Sequence, residues 1–383
     1  MDLTLSEEHL QLRQVASDWV DREVVPHAAE WDRVEEVDRA VVGRLGEVGW
    51  LGVTVPEELG GSGGDHLAYC LVLEELGRGD SSVRGIVSVS LGLVTKTILA
   101  YGTDAQRQEW VPSLCAGRAL GCFALTEPDT GSDAASLSTR AEPREGGWSL
   151  TGSKVFITNG TWADLALVFA RTGGAGPKGI TAFLVPTASP GLTRREIRGK
   201  LGLRGQATAA LTFDGVAVPD SCRLGEEGQG FAIAMAALDK GRMSLGAGCV
   251  GIAEGCLRAS TAYATEREQF GRPIARFQLV QELIADMAVD VEAARLLVWR
   301  VADLVDRGRP FATEASMAKL FASETAVRSA NAALQVFGGY GYVDEYPVGK
   351  YLRDARVTTL YEGTSQIQKL IIGRAVTGVS AFT

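Results

Sequence analysis

Apolar residues recur along the first part of the chain at intervals that suit helices. After Ser6, whose hydroxyl is suited to cap a helix, Leu12, Val15, Ala16, Trp19 and Val20 return at helical spacing. The runs "VVGRLGEVGWLGV" and "LAYCLVLEELGRGD" continue that period, with glycine or proline closing the segments. Near residue 118 the pattern changes. "GCFALTEP", "GWSLTGSKVFITNG", "DLALVFART", "ITAFLVP" and "ALTFDGVAVP" are short, rich in β-branched and aromatic residues, and punctuated by Gly, Pro or Asn. The Asn-Gly pair closing "KVFITNG" is a hairpin signal. Helical spacing returns after "GEEGQG". From 279 to 305, Val280, Leu283, Ile284, Met287, Val291, Ala294, Val298, Val301 and Val305 form one apolar stripe, with Glu282, Asp286, Asp290 and Arg300 largely off it. The pattern predicts an α+β protein in three units: an N-terminal all-α domain (1–117), a middle antiparallel, barrel-like β domain (118–223) and a C-terminal four-helix bundle (224–383). A β domain clamped between helical domains offers a ligand cleft at their junction.

The length of 383 residues agrees with more than one core. An apolar fraction of 46% with 22% charged residues excludes disorder as a description of the whole chain. The net charge of -9 gives no support to nucleic-acid binding, which needs a basic surface. No stretch of eighteen or more apolar residues predicts a membrane span. The acidic start "MDLTLSEEHL" is unlike a signal or transit peptide, so a cytoplasmic protein is expected. The six cysteines form no C-x-x-C pair and read as reduced core thiols. The "NGT" at Asn159 reads as a chance sequon.

Candidate chemistry narrows quickly. The three histidines, His9, His27 and His66, stand at no ligand or triad spacing, so no metal site is expected. No Walker loop is present. "GGSGG" (60–64) and "GGYGY" (338–342) do not follow a strand as a dinucleotide fingerprint would. If the protein is an enzyme, a carboxylate, a lysine or a cofactor does the chemistry. Four stretches stand out. "FALTEPDTGSD" (123–133) gathers hydroxyls and carboxylates after an apolar strand, and reads equally as a loop with Asx-type turns. "KVFITNG" (154–160) ends a strand. "REQFGRPI" (267–274) sets two arginines about a phenylalanine, a helix end or a phosphate clamp. "TTLYEGTSQIQ" (358–368) carries one acid, Glu362, with no basic residue within five positions on either side.

Together these stretches resemble the acyl-CoA dehydrogenases, flavoproteins that desaturate acyl thioesters. The resemblance runs from "LSEEHLQLR" to "YEGTSQIQKLIIGR", with "LTEPDTGSD", "GSKVFITNG", "REQFGRPI", "QVFGGYGYVDEYPV" and "RDARVTTLYEGTSQIQ" in order between. It implies FAD lying between the β domain and the C-terminal bundle. Phe123, Leu125, Thr126 and Ser132 match positions around the flavin ring, and Phe156 and Thr158 match those that stack on it and hydrogen-bond it. Many relatives have tryptophan at Phe156; phenylalanine keeps the apolar face. Arg267, Phe270 and Gln278, with Gln335 through Gly338 and Gly339, match the part that reaches the diphosphate and adenosine across a subunit interface. Thr364 and Gln366 match the last FAD contacts. Ser132, Asp239, Lys240, Gly241, Arg242 and Gly363 match substrate contacts.

Glu362 matches the family's catalytic base. Some relatives place the base at the position of Gly241, where this chain has no side chain to serve. The lack of a cationic sequence neighbour is expected to let burial raise the Glu362 pKa toward the working pH. The resemblance implies an acyl-CoA substrate, an electron-transfer flavoprotein as acceptor and a homotetramer. A carrier-protein-bound acyl group would need the same catalytic residues, and an oxygen-using oxidase of this fold, or a helical scaffold without chemistry, are the other readings.

Overall fold

The computed structural model describes residues 4–381. Its first helical unit comprises α1 (Glu7–Glu23), α2 (Val25–Val34), α3 (Ala40–Glu47), α4 (His66–Gly79), α5 (Ser81–Val87), a π-helical segment Ser88–Thr95, α6 (Lys96–Tyr101) and α7 (Asp104–Cys115). Ser6 caps α1 by accepting from the His9 N–H at 3.2 Å. Ala16, Trp19 and Val20 are buried as the spacing predicts, but Val15 is 51% exposed. The helical period expected to continue through "GWLGV" stops at Glu47, where Gly49 takes φ +78 and the chain turns. Residues Ser81–Tyr101 form one 21-residue helical run apolar enough to cross a bilayer by length and composition. Of its most apolar window, 89% is buried inside the protein, which makes it a core helix.

The middle unit is an eight-stranded sheet: β1 (Gly121–Ala124), β2 (Arg140–Arg144), β3 (Gly147–Thr158), β4 (Leu165–Arg171), β5 (Ile180–Pro186), β6 (Leu192–Glu196), β7 (Thr208–Pro219) and β8 (Arg223–Leu224). The order is β6-β7-β3-β2-β4-β5-β8, with β1 beside β4. Two details differ from expectation. The sheet is mixed, because β1 runs parallel to β4, as does one pair of β2. Asn159-Gly160 does not close a hairpin, since β3 and β4 are not neighbours. Asn159 is instead buried, with φ +64, and its side chain donates to the carbonyls of Gly121 (3.1 Å) and Ile86 (3.4 Å). It ties the sheet to α5, and in the folded protein its amide is not free to carry a glycan.

The C-terminal unit packs three long helices, α8 (Gly230–Glu266), α9 (Gln278–Asp306) and α10 (Ala312–Phe337), completed by α11 (Val348–Thr358) and α12 (Ser365–Thr377). A small hairpin, β9 (Glu268–Gln269) and β10 (Arg272–Pro273), separates α8 from α9. The stripe on α9 buries Met287, Val291, Ala294, Val298 and Val301. Helix α8 also reaches the N-terminal unit. A Cβ on Gly77 of α4 would lie 2.4 Å from the Gly248 carbonyl oxygen, and one on Gly251 would lie 2.0 Å from that of Glu74. Only glycine lets the two helices approach this closely. The first and third units therefore share one core, which includes Leu73, Leu76, Ala247, Val250 and Ala294. The six cysteines are all free thiols.

Candidate active site

Glu362 follows α11 and precedes α12, in a turn where two successive residues have positive φ: Glu362 at 53° and Gly363 at 89°. A non-glycine residue in the left-handed region is a strained choice, of the kind that clusters at functional sites. The residue as a whole is half-buried, but its Oε2 is closed off and has no hydrogen-bond partner. Its room comes from α8: a Cβ on Gly241 would stand 2.5 Å from that Oε2 and 2.8 Å from Cδ2 of Leu93. Glycine at 241 thus leaves the space the carboxylate fills.

Burial raises the Glu362 carboxyl above its ordinary range, while Arg84, Lys319 and Arg242 pull it part of the way back. The sequence hides all three cations, which arrive from α5, α10 and α8. The expectation of a base without cationic neighbours is therefore corrected. Among the described residues none of the three forms an ion pair with Glu362. Arg84 is fully buried and its two terminal nitrogens donate to neutral oxygens, Nη1 to Ser88 Oγ at 2.9 Å and Nη2 to the Tyr361 hydroxyl at 2.8 Å, while its Nε has no hydrogen-bond partner. Tyr361 is pushed up to about 12, chiefly by burial. Arg84 also needs a glycine, since a Cβ on Gly248 would lie 2.7 Å from its Cδ and Nε. Lys319, fully buried on α10, donates to the Gly363 carbonyl at 2.8 Å, and burial brings its pKa down to about 8. Arg242 is ion-paired to Asp239, one turn away on α8. Burial raises the Asp239 carboxyl and lowers Lys240.

The apolar wall beside the carboxylate is a small cluster of Val89 and Leu93 from the π-helical segment, Ala237 from α8 and the half-buried Phe123 from β1. A π-helix widens the helical turn and is frequent at functional sites.

The sheet side is built around an irregular stretch of β3. The register against β7 shifts between Lys154 and Ile157, and there Phe156 takes φ +59 with 68% of its surface exposed. Leu125 is buried and Thr126 half-buried beneath it, with the Val155 N–H bonded to the Thr126 carbonyl at 2.9 Å. Thr158 donates to Gln206 Oε1 at 3.3 Å, and Ser132 is exposed in the loop after β1. An ion pair missed by motif reading holds that loop. Glu127 meets the fully buried Lys154 at 2.8 Å and accepts from Ser138 and Thr139 N–H groups at 2.6 and 2.9 Å. Burial works to raise Glu127, but Lys154 and these donors bring it down to about 2.

A second group of predicted residues lies apart. Arg267, at the end of α8, stands over Tyr340 at 5.4 Å and so joins the 267–278 segment to the Gly338–Tyr342 turn. Phe270, at the tip of the β9–β10 hairpin, has φ +51 and is 93% exposed. Gln278, Gln335, Gly338 and Gly339 are exposed. Among the described residues no hydrogen bond or ring contact links this group to Phe156, Thr158 or Glu362. Thr364 caps α12 by accepting from the Ile367 N–H at 3.2 Å, a local duty its motif position did not indicate, and Gln366 is exposed.

Comparison with known proteins agrees with this architecture. The chain matches the acyl-CoA dehydrogenase N-terminal domain over residues 6–118, the middle domain over 122–216 and the C-terminal domain over 228–377. It is 46% identical over 369 residues to the human mitochondrial short-chain specific acyl-CoA dehydrogenase, covering 96% of this chain and 90% of that one. A chain in a structure described as the electron transferring flavoprotein of Acidaminococcus fermentans superposes with a TM-score of 0.97. It is 41% identical, covering 98% of this chain and 100% of that one. A glutaryl-CoA dehydrogenase from Mycobacterium smegmatis, in complex with FADH2, superposes at 0.95 with 35% identity, covering 99% of this chain and 97% of that one. The chain belongs to the acyl-CoA dehydrogenase family of FAD-dependent oxidoreductases.

Proposed function

We propose that the protein carries out the α,β-dehydrogenation of a short acyl-CoA thioester, with Glu362 taking the α proton. The observation that carries this reading is the Glu362 carboxylate oxygen, buried, free of partners and given its room by Gly241 beside an apolar wall. A carboxylate so placed is a stronger base than one in water, and a bound acyl chain excludes water and strengthens it further. Substrate then loses a proton from its α carbon to Glu362 and a hydride from its β carbon, which leaves a double bond between them. Bound FAD supplies the hydride acceptor. The exposed Phe156 on its bulge fits one face of a planar ring, and the Thr158 hydroxyl stands two residues away. Leu125, Thr126 and Ser132 complete that side; Asp239, Lys240, Arg242 and Gly363 lie on the thioester side.

Short chains are favoured by the 46% identity to a short-chain enzyme and by Val89 and Leu93 in the acyl wall. Arg267, Phe270, Gln278 and Gln335 through Gly339 complete an FAD site on a partner copy. In support, Phe270 is the most exposed large apolar side chain among the described residues. Electrons pass to an electron-transfer flavoprotein, as the Acidaminococcus likeness suggests. The test is anaerobic flavin bleaching by butyryl-CoA. Wild-type protein is expected to bleach, and Glu362→Gln to keep FAD while losing bleaching by several orders of magnitude. Full bleaching in that variant refutes the base.

A further inference from the structure

The turn that carries Glu362 is held by two buried side chains: Lys319, which lies outside every motif, and Gln368, the last residue of "TTLYEGTSQIQ", to which the motif assigns no role. Lys319 donates to the Gly363 carbonyl at 2.8 Å. Gln368, fully buried on α12, donates from Nε2 to the carbonyls of both Glu362 and Gly363, each at 3.1 Å. The fit is close, since a Cβ on Gly363 would lie 2.5 Å from that Nε2. Both carbonyls of the positive-φ pair are therefore fastened, and the conformation is over-determined as strained functional turns require.

Lys319 is an expensive way to hold a carbonyl. It is fully buried, and among the described residues it has no carboxylate in ion-pair contact. A neutral donor such as glutamine, which this site already uses at Gln368, would make the same bond without burying a charge. The charge itself therefore has a use. The groups that face Glu362 are Arg84 and Tyr361 near α5, Tyr69 of α4, Arg242 and Cys249 of α8, and Lys319 of α10. Glu324 stands further along α10, bonded to Ser365 Oγ at 2.6 Å. Lys319 alone among the three cations is bonded to the turn's own backbone.

Resting on the assignment of Glu362 as base, we propose that Lys319 and Gln368 are positioning residues for it. Gln368 fixes the geometry of the turn, and Lys319 both fixes it and supplies the positive potential that keeps Glu362 ionised when a bound acyl chain excludes water. The two contributions separate experimentally. The pH dependence of anaerobic flavin reduction by butyryl-CoA is measured on FAD-loaded wild type, Lys319→Met, Lys319→Gln and Gln368→Leu.

Removing the Lys319 charge stabilises the protonated base, so the acidic limb of the rate profile is expected to move up by about one pH unit in both Lys319 variants. Gln368→Leu is expected to lower the plateau rate about tenfold or more with the limb in place. If Lys319→Met does not retain FAD, Lys319→Gln carries the comparison, since it keeps a donor and loses only charge. A limb that stays put in the Lys319 variant that loads FAD overturns the electrostatic role, and a Gln368→Leu plateau equal to wild type overturns the clamp. Glu362→Gln distinguishes the levels. If it is silent while the Lys319 and Gln368 variants behave as wild type, the base stands and the clamp falls; if it is active, the base itself falls.

Discussion

Placing one methyl group at residue 241 tests the seating of the carboxylate directly. In Gly241→Ala the new Cβ would sit 2.5 Å from Glu362 Oε2 and 2.8 Å from Leu93 Cδ2, both closer than carbon tolerates. The helix cannot yield, because the same stretch of α8 abuts α4 at Gly248 and Gly251 through backbone contacts. The Glu362 backbone is no freer, since its carbonyl is held by Gln368 and its φ of 53° has little latitude. The carboxylate must therefore shift by about 1 Å. Overpacking of this kind costs about 1–3 kcal/mol of stability. A displacement of about 1 Å at a reacting group costs roughly a hundredfold in rate, equivalent to about 2.7 kcal/mol of barrier. The assay is stopped-flow anaerobic flavin reduction by butyryl-CoA, with FAD content read from the oxidised spectrum. The expected result is normal FAD content, a modestly lower melting temperature and reduction slowed about a hundredfold. Wild-type reduction in Gly241→Ala would show that the carboxylate has room to spare and that glycine is not what seats it.

Arg84→Met removes a cation that lowers the Glu362 pKa, so the acidic limb of the rate profile should shift to higher pH; a shift downward contradicts the sign of the interaction. Glu127→Gln strands the fully buried Lys154, and a loss of about 3–5 kcal/mol is expected in denaturant unfolding of the holoprotein. Because Glu127 is held down at about 2, its contribution is present above the ordinary carboxylate pKa and fades as the pH falls toward 2. The Glu127→Gln deficit should therefore shrink in acid. Phe156→Ala removes an exposed ring, so FAD affinity should drop roughly tenfold with apoprotein melting unchanged; equal affinity removes this residue from the flavin bed.

Much of the fold was legible because it rests on local rules. Ser6 announces α1 through a hydroxyl three residues before the amide it accepts, and the stripe from Met287 to Val301 announces α9 through period alone. The Asn159-Gly160 pair signals a hairpin that the fold does not make, because a hairpin and a bulged crossover use the same left-handed turn and only strand order distinguishes them. At the site, Glu362 stood out by its motif, but its electrostatics did not. Arg84, Arg242 and Lys319 lie on three other helices, and no window of sequence contains them together with the acid. The Glu127–Lys154 pair was invisible for the same reason, since separate strands and loops bring it together. Gly241 looked like an absence; only the fold reveals it as a fitted space.

The glycine-lined contact between α4 and α8 also dictates an order of events during synthesis. The apolar run Ser81–Tyr101 gains its cover partly from α8, yet Gly248 is translated 147 residues after Tyr101. At about 5–20 residues per second, the nascent chain carries that run without its partner for on the order of ten seconds. The whole β domain is made in that interval. The N-terminal helices therefore wait for α8 of the C-terminal unit before they settle, and a fragment ending at β8 should aggregate or recruit chaperones. A soluble, cooperatively melting 4–224 fragment would show that the wait is unnecessary.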